Sequence, residues 1–341
     1  MRYRFTFITI VCLVAFAGSC GNQGGPFNAP PAGSYSGIVL VTETGKIEGS
    51  TAELVNALQH ELDFYTKNEL QFHVRVVPAY QFEKEIPAKN MVIFGIVNQG
   101  KIGSVIEQFI GPSGARSVLE GKYSVFKKMN SPVRGQLTII VTGVSNEGLT
   151  IAAREQGAVL RNIIEDGNRE RIRESMLKQG ENTYLEKYLK DRYGFSLKIP
   201  NVYTMEEERP EVAGVSLIHP EPPRVLSVSW RAFGKGEVSL ADSNELYRLR
   251  SDVSFKLFDK YVMRRDLVKF TATRLGAYPA VRMDGYWESS VEAAGGSFVC
   301  FFIADGVKSR IWIVDCLVYA PGKDKNELLR ETIAFAETFS F

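Results

Sequence analysis

The sequence is poor in the residues that most often carry chemistry. Its 341 residues include 3 His and 4 Cys, and none falls at metal-site spacing, with no His-Glu-x-x-His and no closely spaced Cys pair. His60 sits in a helical pattern, His73 in a strand pattern and His219 before Pro220. Neither a His-ligated metal nor any other cofactor is expected. The N-terminal apolar run, Phe5 to Phe16, is twelve residues long, short of the roughly 20 a spanning helix needs. Net charge is also missing. Removing Arg2 and Arg4, which lie in a segment expected to be cleaved, from the 41 Lys and Arg leaves 39, equal to the 39 Asp and Glu. A neutral chain lacks the basic footprint of a nucleic-acid partner, and the bases at 169, 171, 173, 187, 190 and 192 are interleaved with acids, as on a solvated helix face.

What is present is an ordinary globular composition, 45% hydrophobic and 23% charged, long enough for two domains. The N-terminus is the most informative stretch. Arg2 and Arg4 form a short basic region and Phe5 to Phe16 an apolar core, followed by Ala17, Gly18, Ser19 and Cys20. That is a signal peptide over residues 1–19, with three small residues before a Cys, as in the lipobox of bacterial lipoproteins. The reading makes Cys20 the lipidated N-terminus. The charge-free, Gly- and Pro-rich residues 20–36 then form a flexible tether.

From residue 37 strands and helices alternate. Gly37 to Thr42, Leu70 to Val77, Met91 to Val97, Tyr123 to Met129 and Leu137 to Val144 read as strands. Helices are expected from about Thr51 to Phe64, from Ile102 to Leu119, after an N-cap at Ser145, and from about Arg169 to Tyr193, where Gly194 supplies a stop. Beyond Phe195 the pattern is strand-rich: Ser196 to Ile199, Gly214 to His219, Val225 to Phe233, Lys269 to Leu275 and Ala280 to Trp287. One helix from Asp242 to Val262, with Asp242 and Glu245 as a capping pattern, and a terminal helix capped by Asp324 interrupt it. The expected architecture is an α/β domain over 37–194 followed by an α+β domain with a mainly antiparallel sheet over 195–341.

Two apolar runs, Ser297 to Ile303 and Arg310 to Tyr319, flank a turn signal and read as a hairpin. A turn centred near Val307 sets Cys300 opposite Val314 and Cys316 diagonal to it on the same face. That spacing is at the edge of disulfide reach, which leaves a bridge or two buried thiols as alternatives. Asp315, inside an apolar strand, needs a partner or water; it reads as a partner for Arg282 or as part of an exposed strand face, with a ligand-binding acid as the functional alternative. Trp230, Tyr286, Trp287 and Trp312 read as packing residues. Trp230, Arg282, Trp287 and Asp315 form the candidate ligand groove. Ser124-Val125-Phe126-Lys127 matches Ser-x-x-Lys without companion motifs, Gly111-Pro112-Ser113-Gly114 is not a nucleophile elbow, and Gly234-Lys235-Gly236 reads as a turn. No residue is assigned a catalytic role.

The run from Gly285 to Glu331 carries Trp287, Gly295, Gly296, Phe298, Val318, Tyr319 and Pro321 in the order Trp, Gly-Gly-x-Phe, apolar hairpin, Val-Tyr-x-Pro and terminal helix. Lys89-Asn90-Met91-Val92-Ile93 and Arg250-Ser251-Asp252 fit the same pattern. On these motifs the chain resembles the Bacteroidota envelope-lipoprotein family known as domain of unknown function 4837. The family's early Trp and its Pro-Gln-rich segment are absent from residues 43 to 80. The resemblance implies an envelope location and a two-part architecture, and supplies no chemistry. The expected function is that of a membrane-tethered lipoprotein facing the periplasm, a non-catalytic binding or structural module whose partner is an envelope protein or glycan. The alternative is a hydrolase of cell-wall glycan or peptide, which would need paired acids or a Ser/His constellation in one cleft.

Overall fold

The structure, a computed structural model, describes residues 31–62, 69–121, 123–233, 240–258 and 260–341. The signal peptide, Cys20 and Gly234-Lys235-Gly236 lie outside them. The chain forms two compact units, one of residues up to His60 and Gln71–Gly167, the other of Glu61–Leu70 and Asn168–Phe341. The first is α/β and the second α+β, as the sequence implies.

In the first unit the order is β1 (Gly37–Thr42), α1 (Gly49–Leu58), β2 (His73–Pro78), the single turn α2 (Phe82–Glu85), β3 (Asn90–Ile96), α3 (Gly100–Leu119), β4 (Tyr123–Met129) and β5 (Leu137–Gly143). The long helix α4 (Asn146–Leu177) begins here. The described strands form a five-stranded sheet in the order β2-β1-β3-β5-β4, parallel except for β4. Strands β3 and β5 are apolar on both faces because both are covered, the usual state of a parallel sheet. Ile38, Leu40, Phe94 and Ile139 face Leu54 and Leu58 of α1 and Leu149 and Leu160 of α4. Val39, Val41, Ile93 and Ile140 face Ile102, Ile106 and Phe109 of α3. Ser145 caps α4 as expected, its Oγ accepting from Gly148 N–H at 3.1 Å.

Three expectations change. The tether does not extend to residue 36. Ala32 bridges Ala88 and accepts from Lys89 N–H at 3.1 Å, the Lys89 ammonium sits 3.8 Å from the Tyr35 ring centroid, and Ser36 is buried. Backbone groups of residues 32–36 are satisfied on the first unit instead of on water, the Tyr35 and Ser36 carbonyls accepting from the Asn90 amide and His73 N–H. The helices do not divide at 166–168: α4 runs unbroken through Asp166-Gly167-Asn168 to Leu177, with Gly167 against Leu137. The units separate at 167/168 and not at Gly194. The reason lies in α5 (Thr183–Tyr193), whose Leu185 and Leu189 are buried in the core of the second unit. Gly194 does stop α5, in the left-handed region with φ 74°.

The second unit continues with β6 (Thr204–Arg209), β7 (Gly214–Pro220), β8 (Pro223–Ala232), α6 (Ser243–Leu257), β9 (Tyr261–Met263), β10 (Lys269–Leu275), β11 (Tyr278–Ser289), β12 (Gly295–Asp305), β13 (Arg310–Val318) and α7 (Lys325–Ala336). The strands form one antiparallel sheet in the order β10-β11-β12-β13-β8-β7-β6, with β9 on β11. Ser196–Ile199 contributes only an isolated bridge, Ser196 to Ser340. One sheet face packs under α5 and α7 through Trp312, Val314, Cys316, Phe335 and Phe339. The other packs under α6 through Cys300, Phe302, Ile311, Ile313 and Leu246. Asp242 caps α6, its carboxylate accepting from Asn244 and Glu245 N–H at 2.8 and 3.3 Å. Asp242→Ala is expected to cost about 1 kcal/mol. All 3 Trp of the chain are in this unit, so denaturant unfolding followed by Trp fluorescence reads the loss directly.

The hairpin register corrects the cysteine geometry. Asp305 pairs with Arg310, so Cys300 lies opposite Asp315 and Cys316 opposite Val299. This is one residue off the expected pairing, and a one-residue slip moves a side chain to the other face. Cys300 belongs to the α6 side and Cys316 to the α7 side. Both are free and buried.

Candidate functional site

The sequence-derived groove does not assemble, because strand parity separates its members. Trp230 packs on the α7 side, 5.5 Å from Trp312 and 5.3 Å from Tyr193, ring centroid to ring centroid. Trp287 is buried on the α6 side, stacked 4.2 Å from Tyr261. Arg282 lies across from Phe301, on the face opposite Asp315, and its Nε and Nη2 bond the Asp284 carboxylate at 2.8 and 2.5 Å. It cannot be the partner of Asp315.

That partner is Arg250 of α6, with Nη2 2.9 Å from Asp315 Oδ2 and both side chains essentially without solvent exposure. The guanidinium carbon sits 3.4 Å from the centroid of the Phe298 ring. Across the strands Asp315 is flanked by Ser227 and Cys300. Burial pushes the Asp315 carboxyl above its usual range while Arg250 pulls it back. Burial also raises both thiols well above the ordinary cysteine value, with the Asp315 charge adding to it, which disfavours the nucleophilic thiolate. A signal for this pair was present in the sequence: Arg250 stands in the buried stripe of α6 with Leu246, Val253 and Leu257, and an arginine in an apolar stripe asks for a buried acid. With Asp315 held by Arg250, the pair is a structural element of the core.

Among the concave features of the described residues, one in the first unit lies where the fold favours a ligand. A cleft of about 450 Å³ opens at the carboxyl ends of β1 and β3, within the 300–1,000 Å³ usual for small-molecule sites. These strands flank the point where the order of connection reverses, since β1 leads outward to β2 and the chain then returns across it to β3. Ligands of open α/β sheets bind at such switch points. The cleft is walled by the first residues of α1, α3 and α4, among them Ser50, Thr51, Gln99 and Asn146, with Phe94, Ile96 and Leu149 beneath. Glu43, directly after β1, reaches over to α3. Its two carboxylate oxygens accept from Lys101 N–H at 3.2 Å and Ile102 N–H at 2.8 Å. Gly100 permits this approach, since a Cβ there would lie 2.6 Å from the Glu43 carboxylate. Thr42 Oγ1 accepts from Gly45 N–H at 3.0 Å, and the Thr150 hydroxyl donates to Asn146 O at 2.9 Å.

None of these cleft residues stands out in the sequence as a motif. They are brought together by strand order, which no local pattern encodes. His60, His73 and His219 do not line the cleft.

Residues 258–338 match the family described as Domain of unknown function (DUF4837). The match contains the run from Gly285 to Glu331 on which the resemblance was drawn and lies in the second unit. No curated protein matches. Similar solved structures include one from Bacteroides thetaiotaomicron, at 12% identity over 43% of this chain and 44% of that one, TM-score 0.28. Another is LpqN of Mycobacterium tuberculosis, described as involved in cell envelope biogenesis, at 13% identity over 43% and 82%, TM-score 0.27. A third is a variant of the protein Mog1, at 9% identity over 43% and 90%, TM-score 0.28. This chain therefore spans less than half of the Bacteroides protein, and likenesses this partial assign no function.

Proposed function

We propose that the protein is a lipid-anchored, non-catalytic binding module of the cell envelope, facing the periplasm, whose ligand enters the cleft at the carboxyl ends of β1 and β3. The observation that carries the binding reading is the cleft itself, a concave site at a switch point with polar side chains above an apolar floor. Support for the anchor comes from the sequence: Arg2 and Arg4, the apolar run Phe5 to Phe16 and the small residues before Cys20. Three acyl chains on that cysteine exceed the two hydrophobic signals that stable anchoring takes.

The test of anchoring is Cys20→Ala. Ala17 and Ser19 also suit ordinary signal-peptide cleavage, so the variant should be processed and released from the membrane fraction. The wild type should stay in that fraction and carry acyl mass on its mature N-terminus. Equal membrane retention of the two chains, with no acyl mass on the wild type, would remove the anchor from this reading.

A further inference from the structure

Resting on the binding reading above, we infer that the cleft takes an uncharged, hydroxyl-rich small molecule, a saccharide, and that it excludes phosphate and other anions because Glu43 already fills its anion position. The N-terminus of α3 would be the natural place for an anionic ligand, since its free amides and helix dipole favour negative charge. Here those amides are taken: Lys101 and Ile102 N–H donate to the two Glu43 oxygens. The approach is built into the backbone, because Gly100 has φ +64° and leaves the space a side chain would occupy. A carboxylate held this way has its charge met by the helix, and a second anion arriving there would have to displace it or meet it as a like charge.

The remaining charge in the cleft balances. Glu48 and Lys46 are the other ionised residues of its lining, one of each sign, so with Glu43 the lining carries a formal charge of −1, set against the positive end of the α3 dipole, and nothing in it recruits a second anion. What it presents instead is hydroxyl and amide groups: Thr44, Ser50, Thr51, Gln99, Asn146 and Thr150. Side chains that both donate and accept suit a ligand whose hydroxyls do the same. Phe94, Ile96 and Leu149 add an apolar floor for the C–H face of a sugar ring. The volume of about 450 Å³ accommodates a mono- or disaccharide.

The experiment is isothermal titration of the purified full chain with D-glucose, N-acetylglucosamine and trehalose, each at millimolar concentration, and separately with inorganic phosphate. The wild type should bind at least one saccharide saturably and give no heat with phosphate. Ser50→Trp, which places a large ring on the cleft wall, should weaken saccharide binding by about tenfold or more with an unchanged melt. Glu43→Ala vacates the α3 amides and should gain phosphate binding that the wild type lacks. Phosphate binding by the wild type that Ser50→Trp abolishes would overturn the saccharide inference and leave the binding reading standing. Saccharide binding indifferent to Ser50→Trp would move the ligand out of the cleft and overturn the inference. Silence toward every probe, with Glu43→Ala equally silent, would end both this inference and the cleft as the ligand site.

Discussion

Replacing Arg250 with methionine is expected to destabilise the second unit by about 3–5 kcal/mol, the cost of leaving one member of a buried ion pair without the other. Asp315 would then stand in an apolar core with Ile311, Ile313 and Phe302 around it and no cation within reach. The double replacement Arg250→Met with Asp315→Leu should recover most of the loss, because apolar residues of similar volume often substitute for a buried pair without penalty. The pH dependence has a definite sign. The Asp315 carboxyl is already raised by burial in the wild type, with Arg250 opposing, and removing Arg250 removes the opposing influence. A carboxyl whose folded pKa lies above its unfolded value of about 3.9 binds more protons folded than unfolded, so its contribution is fully present below the unfolded value. It is lost as pH rises through the folded one. The deficit of Arg250→Met should therefore grow from pH 4 toward pH 7, while the double variant shows no such growth. Denaturant unfolding followed by Trp fluorescence at several pH values decides it. A deficit independent of pH would mean that lost packing against Phe298, not the unpaired charge, accounts for the cost.

Gly296→Ala is expected to cost about 3 kcal/mol or more, at or beyond the upper end for overpacking a core. A Cβ on Gly296 would fall 1.9 Å from the Val318 carbonyl oxygen and 3.1 Å from the Trp287 indole nitrogen. The obstacle is backbone, so no rotamer change relieves it, and the first residues of β12 would have to part from the end of β13. This gives the Gly-Gly-x-Phe motif a physical meaning: Gly296 admits the close approach of β13, and Phe298 two residues on lies beneath the Arg250 guanidinium. An alanine variant with wild-type unfolding midpoint would show that the strand end yields easily and that the motif is not a packing constraint.

The first unit was the more legible in the sequence. Gly37–Thr42 and Tyr123–Met129 are bounded to the residue, and β3 and β5 to within one, because β-branched and aromatic runs flanked by Gly, Pro or Asn mark their ends. Where the reading failed, the deciding information was not local. The helix expected to run from Asp242 to Val262 ends at Leu257, and Tyr261–Met263 becomes a strand because β11 offers it an edge. Thr204–Arg209 was missed altogether: a run of Glu and Arg has little strand propensity, yet it pairs with β7 as a charged sheet edge of the kind that discourages further pairing. The candidate groove failed through strand parity. Arg282 and Trp287 lie five residues apart on β11 and so take opposite faces, and the pairing of β13 with β8 and β12 puts Trp230 on the side of Arg282 and Asp315 on the side of Trp287. The cleft was legible only as a consequence of topology, and Arg250 was visible as an anomaly whose partner a sequence pattern does not identify.

The placement of Cys300 and Cys316 on opposite faces of the sheet bears on the order of events during maturation. In an oxidising compartment, as the proposed location would be, thiols of an unfolded chain are open to oxidation. Side chains directed to opposite faces cannot be bridged without moving backbone, so a chain whose two sulfurs are joined cannot close β12 on β13 in its native register. Sheet closure and sulfur pairing are therefore competing outcomes for the nascent second unit. Closure of the hairpin hides one thiol beneath α6 and the other beneath α7, and in doing so removes the competing reaction.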